Sequence, residues 1–204
     1  GIDPDCCRNV VIANCIVSTG DDAIVVKSTG PMSRRYGVCE YITITNCVLH
    51  SRDSALKIGT ETHGTIRNVT LSDCIIDRCS RAVGIWVRDG GTVEDIHIHH
   101  LTGSTLRYAD RYAEPGAPGW WGKGEPIFIS ATPRNNSRTK TGTIRNVTFD
   151  NLSITCESCA FLAGEPESCL RDIRIRDLHM TCKRQGIKPG GLFDDQPSWR
   201  HVYS

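Results

Sequence analysis

Asn68-Val69-Thr70-Leu71-Ser72-Asp73-Cys74 is one copy of a pattern that recurs along the chain. Asn9-Val10-Val11-Ile12-Ala13-Asn14-Cys15 and Tyr41-Ile42-Thr43-Ile44-Thr45-Asn46-Cys47 precede it, and Asp95 to Leu101, Asn146 to Leu152 and Asp172 to Leu178 follow it. In each copy apolar and polar residues alternate, the period of a β-strand. The second positions are Val10, Ile42, Val69, Ile96, Val147 and Ile173, so the steps are 32, 27, 27, 51 and 26 residues. The step of 51 is about two repeats and predicts one unmarked rung between Ile96 and Val147.

A second apolar strand follows most copies: Ala23-Ile24-Val25-Val26, Ala55-Leu56-Lys57-Ile58, Gly84-Ile85-Trp86-Val87 and Pro126-Ile127-Phe128-Ile129. Repeats of this length with two or three short strands each describe a parallel β solenoid. The Leu-x-x-Leu-x-Leu signature of leucine-rich repeats is absent. The expected fold is all-β: a right-handed single-stranded parallel β-helix of about seven coils, one domain over 1–204. The polar residues Asn14, Asn46, Asp73, His100, Asn151 and Asp177 fall where a strand turns a corner, and Asn and Asp tolerate left-handed backbone there. Beside them Cys15, Cys47 and Cys74 hold equivalent places in successive coils, which predicts a stack of small, buried, reduced thiols.

Bulk properties narrow the function classes. The 204 residues carry 24 basic and 23 acidic side chains, a net charge of +1, so the total charge points neither to nucleic acid nor to a membrane surface. No apolar run approaches the roughly 20 residues that span a bilayer. Eleven cysteines are too many to ignore, yet a disulfide-stapled miniprotein does not fit this length. Cys156, Cys159, Cys169 and Cys182 form either a local disulfide or a zinc site, and neither carries the expected function. The start, Gly1-Ile2-Asp3-Pro4, has no initiator Met, so the chain is expected to be a fragment that begins inside a longer protein.

The longest irregular stretch, about 103–124, holds Tyr108, Tyr112, Trp120 and Trp121. Long loops on a rigid scaffold often carry function; Trp120 and Trp121 form either a sugar-stacking wall or a cap on the apolar surface beneath. Aligning Ile24, Leu56 and Ile85 as inward residues places Asp21 beside Asp53, Lys57 beside Trp86, and Lys27 beside Arg88 on one outer face. Carboxylates for proton transfer, cations for a uronate and an indole for a ring face suit an acidic sugar.

These residues resemble glycoside hydrolase family 28, the polygalacturonases and their relatives. Gly20-Asp21-Asp22 is similar to that family's paired-aspartate motif. Gly1-Ile2-Asp3 looks like the end of its Asn-Thr-Asp-Gly-x-Asp motif, whose first Asp would stand immediately before Gly1. Trp120-Trp121-Gly122-Lys123-Gly124-Glu125 and Lys57-Ile58-Gly59-Thr60-Glu61 look like a bacterial branch. The resemblance implies inverting hydrolysis of a galacturonate-containing polysaccharide without metal or organic cofactor. Asp21 would be the general acid, and Asp22, with the first-motif Asp, would activate water between carboxyls roughly 6.5–9.5 Å apart. Where the family has Gly-His-Gly this chain has Asp53-Ser54-Ala55, with His63 off that position. Where the family has Arg-Ile-Lys it has Trp86-Val87-Arg88.

Asp53 is therefore expected to supply the second carboxylate. Asp3, Lys57, His63, Trp86, Arg88, Trp120 and Trp121 are the expected substrate contacts. The expected partner is a polysaccharide, and copies can associate through the open strand edges of an end coil. Location outside the cytoplasm follows from the resemblance alone. Two other readings remain: a β-helix polysaccharide lyase using Ca²⁺ with Lys57 or Arg88 as base, and a non-catalytic or inactive carbohydrate-binding solenoid. His97, His99 and His100 form either a metal-binding cluster or a solvated strand. The Asn-x-Thr sequons at Asn68 and Asn146 fall within the strand repeat.

Overall fold

A computed structural model describes residues 1–108, 121–132, 140–165 and 169–186. Along the chain run β1 (Arg8–Ala13), β2 (Ile16–Thr19), β3 (Ile24–Ser28), α1 (Gly30–Tyr36), β4 (Cys39–Thr45), β5 (Val48–Ser51), β6 (Ser54–Thr62), β7 (Thr65–Cys79), β8 (Arg81–Val87), β9 (Thr92–Thr105), β10 (Glu125–Ala131), β11 (Thr143–Cys156), β12 (Phe161–Gly164) and β13 (Cys169–Cys182). All named pairings are parallel. One sheet runs β1-β4-β7-β9-β11-β13, with β2 and β5 alongside, and the other runs β12-β10-β8-β6-β3. The chain alternates between the two sheets and advances one strand at each return, which makes a parallel β-helix of about five turns.

The repeat register read from the sequence is the register of the ladder. Val10 pairs with Ile42, Ile42 with Val69, Val69 with Ile96, Ile96 with Val147, and Val147 with Ile173. The expected unmarked rung between Ile96 and Val147 does not exist, because β9 pairs directly with β11. The 51-residue step is one coil enlarged by excursions, so seven coils become five. The 32-residue first step is lengthened in the same way, by α1, whose start is favoured by Pro31 in its first turn. The excursion after β9 also starts later than expected: Gly103 lies inside β9, where a Cβ would come within 2.0 Å of the Ile76 carbonyl oxygen.

Corners are made by residues held in left-handed backbone. Asn14, Asn46, Asp73, His100, Asn151 and Asp177 have φ between 47° and 59°, as their polar identities predict. A second column, Asn9, Tyr41, Asn68, Asp95, Asn146 and Asp172, has φ between 51° and 60°. It went unrecognised in the sequence, although all but Tyr41 are Asn or Asp. Left-handed backbone costs an ordinary L-residue about 1–2 kcal/mol, and side-chain ladders offset part of that. Asn46 Nδ2 donates to Asn14 Oδ1 at 2.6 Å, and Asn146 Nδ2 to Asp95 Oδ1 at 2.6 Å.

Between the sheets lies a core of stacked side chains including Ile44, Leu71, Ile98 and Phe149, all fully buried. Cys47 and Cys74 are buried within it as free thiols, with Cys15 half-buried at the end. They stand in the column that Leu101, Leu152 and Leu178 continue. Burial pushes the Cys74 thiol up to about 11 and the Cys79 thiol to about 12, so both are inert at neutral pH. Cys156, Cys159 and Cys182 are likewise free. Among the described residues no helix is long and apolar enough to cross a membrane.

Replacing Ile98 by Ala should cost about 2–5 kcal/mol of unfolding free energy in urea titration, the usual range for a buried aliphatic truncated in a tight core. Asn46→Ala should cost about 1–2 kcal/mol, and Asn46→Gly less, because glycine removes the left-handed penalty.

Candidate active site

The second sheet and the corner leading into it hold most of the expected site residues. Asp21 and Asp22 occupy the turn between β2 and β3, and Asp53 the equivalent turn between β5 and β6 on the next coil. Ile24 pairs with Leu56, so the two turns are stacked. One oxygen from each of Asp21, Asp22 and Asp53 lies within 4.8 Å of the other two. That is tighter than the carboxyl spacing of roughly 6.5–9.5 Å that inversion uses. Asp21 is exposed, Asp22 is 6% exposed and Asp53 1%.

Two buried carboxylates need partners, and neighbouring coils supply them. Lys57 Nζ lies 2.9 Å from Asp22 Oδ2 and 3.6 Å from Asp53 Oδ2. Ser54 N–H donates to Asp22 Oδ1 at 3.2 Å. Arg81 Nη1 donates to Asp53 Oδ1 at 2.7 Å, and its Nε lies 3.6 Å from Glu125 Oε2. Charges thus alternate along Asp22, Lys57, Asp53, Arg81 and Glu125, through four successive coils. Desolvation first, then the Asp53 charge, pushes the Asp22 carboxyl up to about 6, and Lys57 limits the rise.

The expected column of outward residues needs a correction of two positions. Leu56 pairs with Val83, not Ile85, so Gly84 and not Trp86 stands opposite Lys57. Trp86 nevertheless folds back over Gly84, whose Cβ, if present, would lie 2.2 Å from the indole. Its ring is 5.1 Å from Lys57 Nζ, 5.1 Å from the Arg81 guanidinium, and stacked on Phe128 at 4.9 Å. Phe128 in turn stacks on Phe161. Trp86 is 3% exposed, so it supports the two cations from beneath rather than presenting an open ring face.

The remaining expected contacts are spread along the same face. Asp3 stands on the coil before, opposite Val25, and takes Lys27 Nζ at 2.8 Å. His63 lies beyond the end of β6, its Nε2 3.9 Å from Asp89 Oδ2. Arg88 is 1% exposed, and its N–H donates to Thr62 Oγ1; the expected pairing beside Lys27 does not form a surface cation. The structure therefore gathers Asp21, Asp22, Asp53, Lys57 and Trp86, sets Asp3 at the rung position of Val25 and Lys57 on the first coil, and leaves His63 and Arg88 towards the other end of the strands. Trp121 lies near the carboxylate end, 5.8 Å from the Arg52 guanidinium and edge-on to Tyr108. Trp120 falls outside the described residues.

Sequence reasoning missed Arg81 and Ser80, and placed Glu125 with the Trp pair rather than with Arg81. Ser80 Oγ donates to the Asp53 carbonyl at 2.8 Å and accepts from Gly122 N–H at 3.0 Å. The signal was there: Ser54, Arg81 and Glu125 share one rung position, which the correct register exposes.

No protein-family description matches this chain, and no curated protein matches it. Among solved structures it is similar to a hyperthermoactive exopolygalacturonase from Thermotoga maritima, with a TM-score of 0.64 and 24% sequence identity. The similarity covers 88% of this chain and 40% of that one, so the chain spans well under half the length of that enzyme. The likeness shows the fold: this chain is a β-helix built like that of a polygalacturonase.

Proposed function

We propose that this chain belongs to a glycoside hydrolase acting on a galacturonate-containing, pectin-type polysaccharide, of the family 28 kind. The observation that carries the reading is the convergence of Asp21, Asp22 and Asp53 from two adjacent coils, with Lys57 between two of them. The polygalacturonase-like fold and the Gly20-Asp21-Asp22 motif support it.

Asp21 is the exposed member, so it is the carboxyl a glycosidic oxygen can reach, and it acts as general acid. Asp22 and Asp53, behind it, orient and deprotonate the attacking water. A base must be ionised to act, and Lys57 is what keeps Asp22 from holding its proton well above pH 6. Lys27 and Lys57 share the face on which a uronate would lie. Asp3, level with Lys57 on the first coil, and His63, further along the strands, would meet the adjoining sugar. A lyase would need Ca²⁺ to bridge uronate and carboxylates, but here the Lys57 ammonium already sits between Asp22 and Asp53. That favours hydrolysis.

The test is reducing-end release from polygalacturonate and from rhamnogalacturonan, with ultraviolet absorbance followed in parallel. Reducing ends without new absorbance, lost by at least about a hundredfold in Asp21→Asn and in Asp53→Asn, are expected from the size of acid–base contributions. New absorbance would instead assign a lyase, and glycan binding without turnover a binding module. The anomer first released, read by proton NMR, settles inversion against retention at this close carboxyl spacing.

A pH profile separates the roles. With Asp22 as base, kcat/KM should fall as pH drops through about 6, where this carboxyl takes up its proton. A fall as pH rises through the same value would transfer the acid role to Asp22.

A further inference from the structure

A second cluster of metal-ligating side chains sits on the other sheet, remote in sequence from the carboxylates. Asp73 makes the corner within β7, and His100 makes the same corner one coil later in β9, with His99 just before it. One ligand atom from each of Asp73, His99 and His100 lies within 4.8 Å of the other two. His99 Nδ1 and His100 Nδ1 are 2.9 Å apart, and His100 Nδ1 is 3.6 Å from Asp73 Oδ1.

This corner departs from the ladder that precedes it. Asn14 and Asn46 occupy the column in the first two coils and satisfy each other through an amide hydrogen bond. At Asp73 and His100 the amides give way to a carboxylate and an imidazole, and His99 turns its Nδ1 towards the same point. Two imidazole nitrogens facing each other at 2.9 Å can hold only one proton between two lone pairs. A cation accepts both. With ligand bonds of about 2.1 Å, that nitrogen separation subtends roughly 90° at an ion, and the 3.6 Å nitrogen–oxygen separation roughly 120°. Both angles suit a four- to six-coordinate ion completed by water, and His100 and Asp73 are more than half exposed, so water has access.

We propose that Asp73, His99 and His100 form a surface site for a divalent first-row ion of the Zn²⁺ type. Two imidazoles and one carboxylate select such ions over Ca²⁺ or Mg²⁺, which prefer oxygen alone. The arrangement joins two coils, so a bound ion ties β7 to β9 at their shared corner and stabilises the folded chain by mass action.

The test is titration of the whole chain with ZnCl₂, following imidazole nitrogen resonances by NMR and the thermal midpoint. Coordination should shift the Nδ1 resonances of His99 and His100 and raise the midpoint. His100→Ala and Asp73→Ala should each weaken binding by at least about tenfold, the loss that even an outer-shell partner brings. His179→Ala, on an exposed part of β13, should change nothing, and circular dichroism checks that each variant folds. Unshifted His99 and His100 resonances at saturating Zn²⁺ would overturn the proposal. So would equal binding by the His99→Ala/His100→Ala double variant, which would assign the ion to thiols such as Cys156, Cys159 and Cys182.

Discussion

Everything in this molecule depends on parallel main-chain pairing between successive coils. Each strand is fixed against the one before and the one after at a single register, and a slip of one residue would turn every core side chain outward. The fixed register lets residues some 27 positions apart in sequence act as neighbours about 4.8 Å apart. Corner columns, the thiol and leucine column, and the chain of alternating charges are all consequences of that one constraint. The two left-handed columns enforce it from the other side, because a coil can close only where its backbone turns at the same rung positions.

The constraint also explains which parts of the fold were legible. Alternation in the six Asn-Val-Thr-like segments carried the first sheet with correct register, because six copies average out local exceptions. The second sheet was harder. Its central strands β8 and β10 are buried along their whole length, so they show no alternation, and periodicity gives no purchase on a continuous apolar run. Aligning Ile85 with Leu56 was therefore a choice among equivalent offsets, and it missed by two. The count of coils failed for a different reason. A long excursion between β9 and β10 has the same effect on spacing as an extra rung, and only pairing distinguishes them.

At the site, composition of the motif was readable but electrostatic closure was not. Gly20-Asp21-Asp22 and Asp53 stand out as carboxylates at equivalent turns. What makes their burial tolerable is Lys57 and, one coil beyond Asp53, Arg81, and Arg81 belongs to no recognisable motif. Two carboxylates at this spacing would repel each other strongly in a low-dielectric corner. Lys57 lies between Asp22 and Asp53, and Arg81 between Asp53 and Glu125. The aromatic stack of Trp86, Phe128 and Phe161 lies against these cations and restricts where they can move. Trp86 reads in the sequence as a sugar platform because it is a large aromatic on an outward strand position. A glycine opposite Lys57 gives it room to fold back instead.

The same logic sets the two clusters apart. Asp22 is buried, so its protonation is governed by desolvation and then by the charges of Asp53 and Lys57 a few ångströms away, and any change at Lys57 must change it too. Asp73, His99 and His100 stand at an exposed corner, where water screens neighbouring charges and only the local ligand geometry matters. A solenoid separates such sites naturally, since each coil buries its interior against its neighbours and presents each sheet to solvent independently. Substitutions on one sheet can therefore alter ion affinity without moving the carboxylates of the other, provided the rung positions that fix the register are left alone.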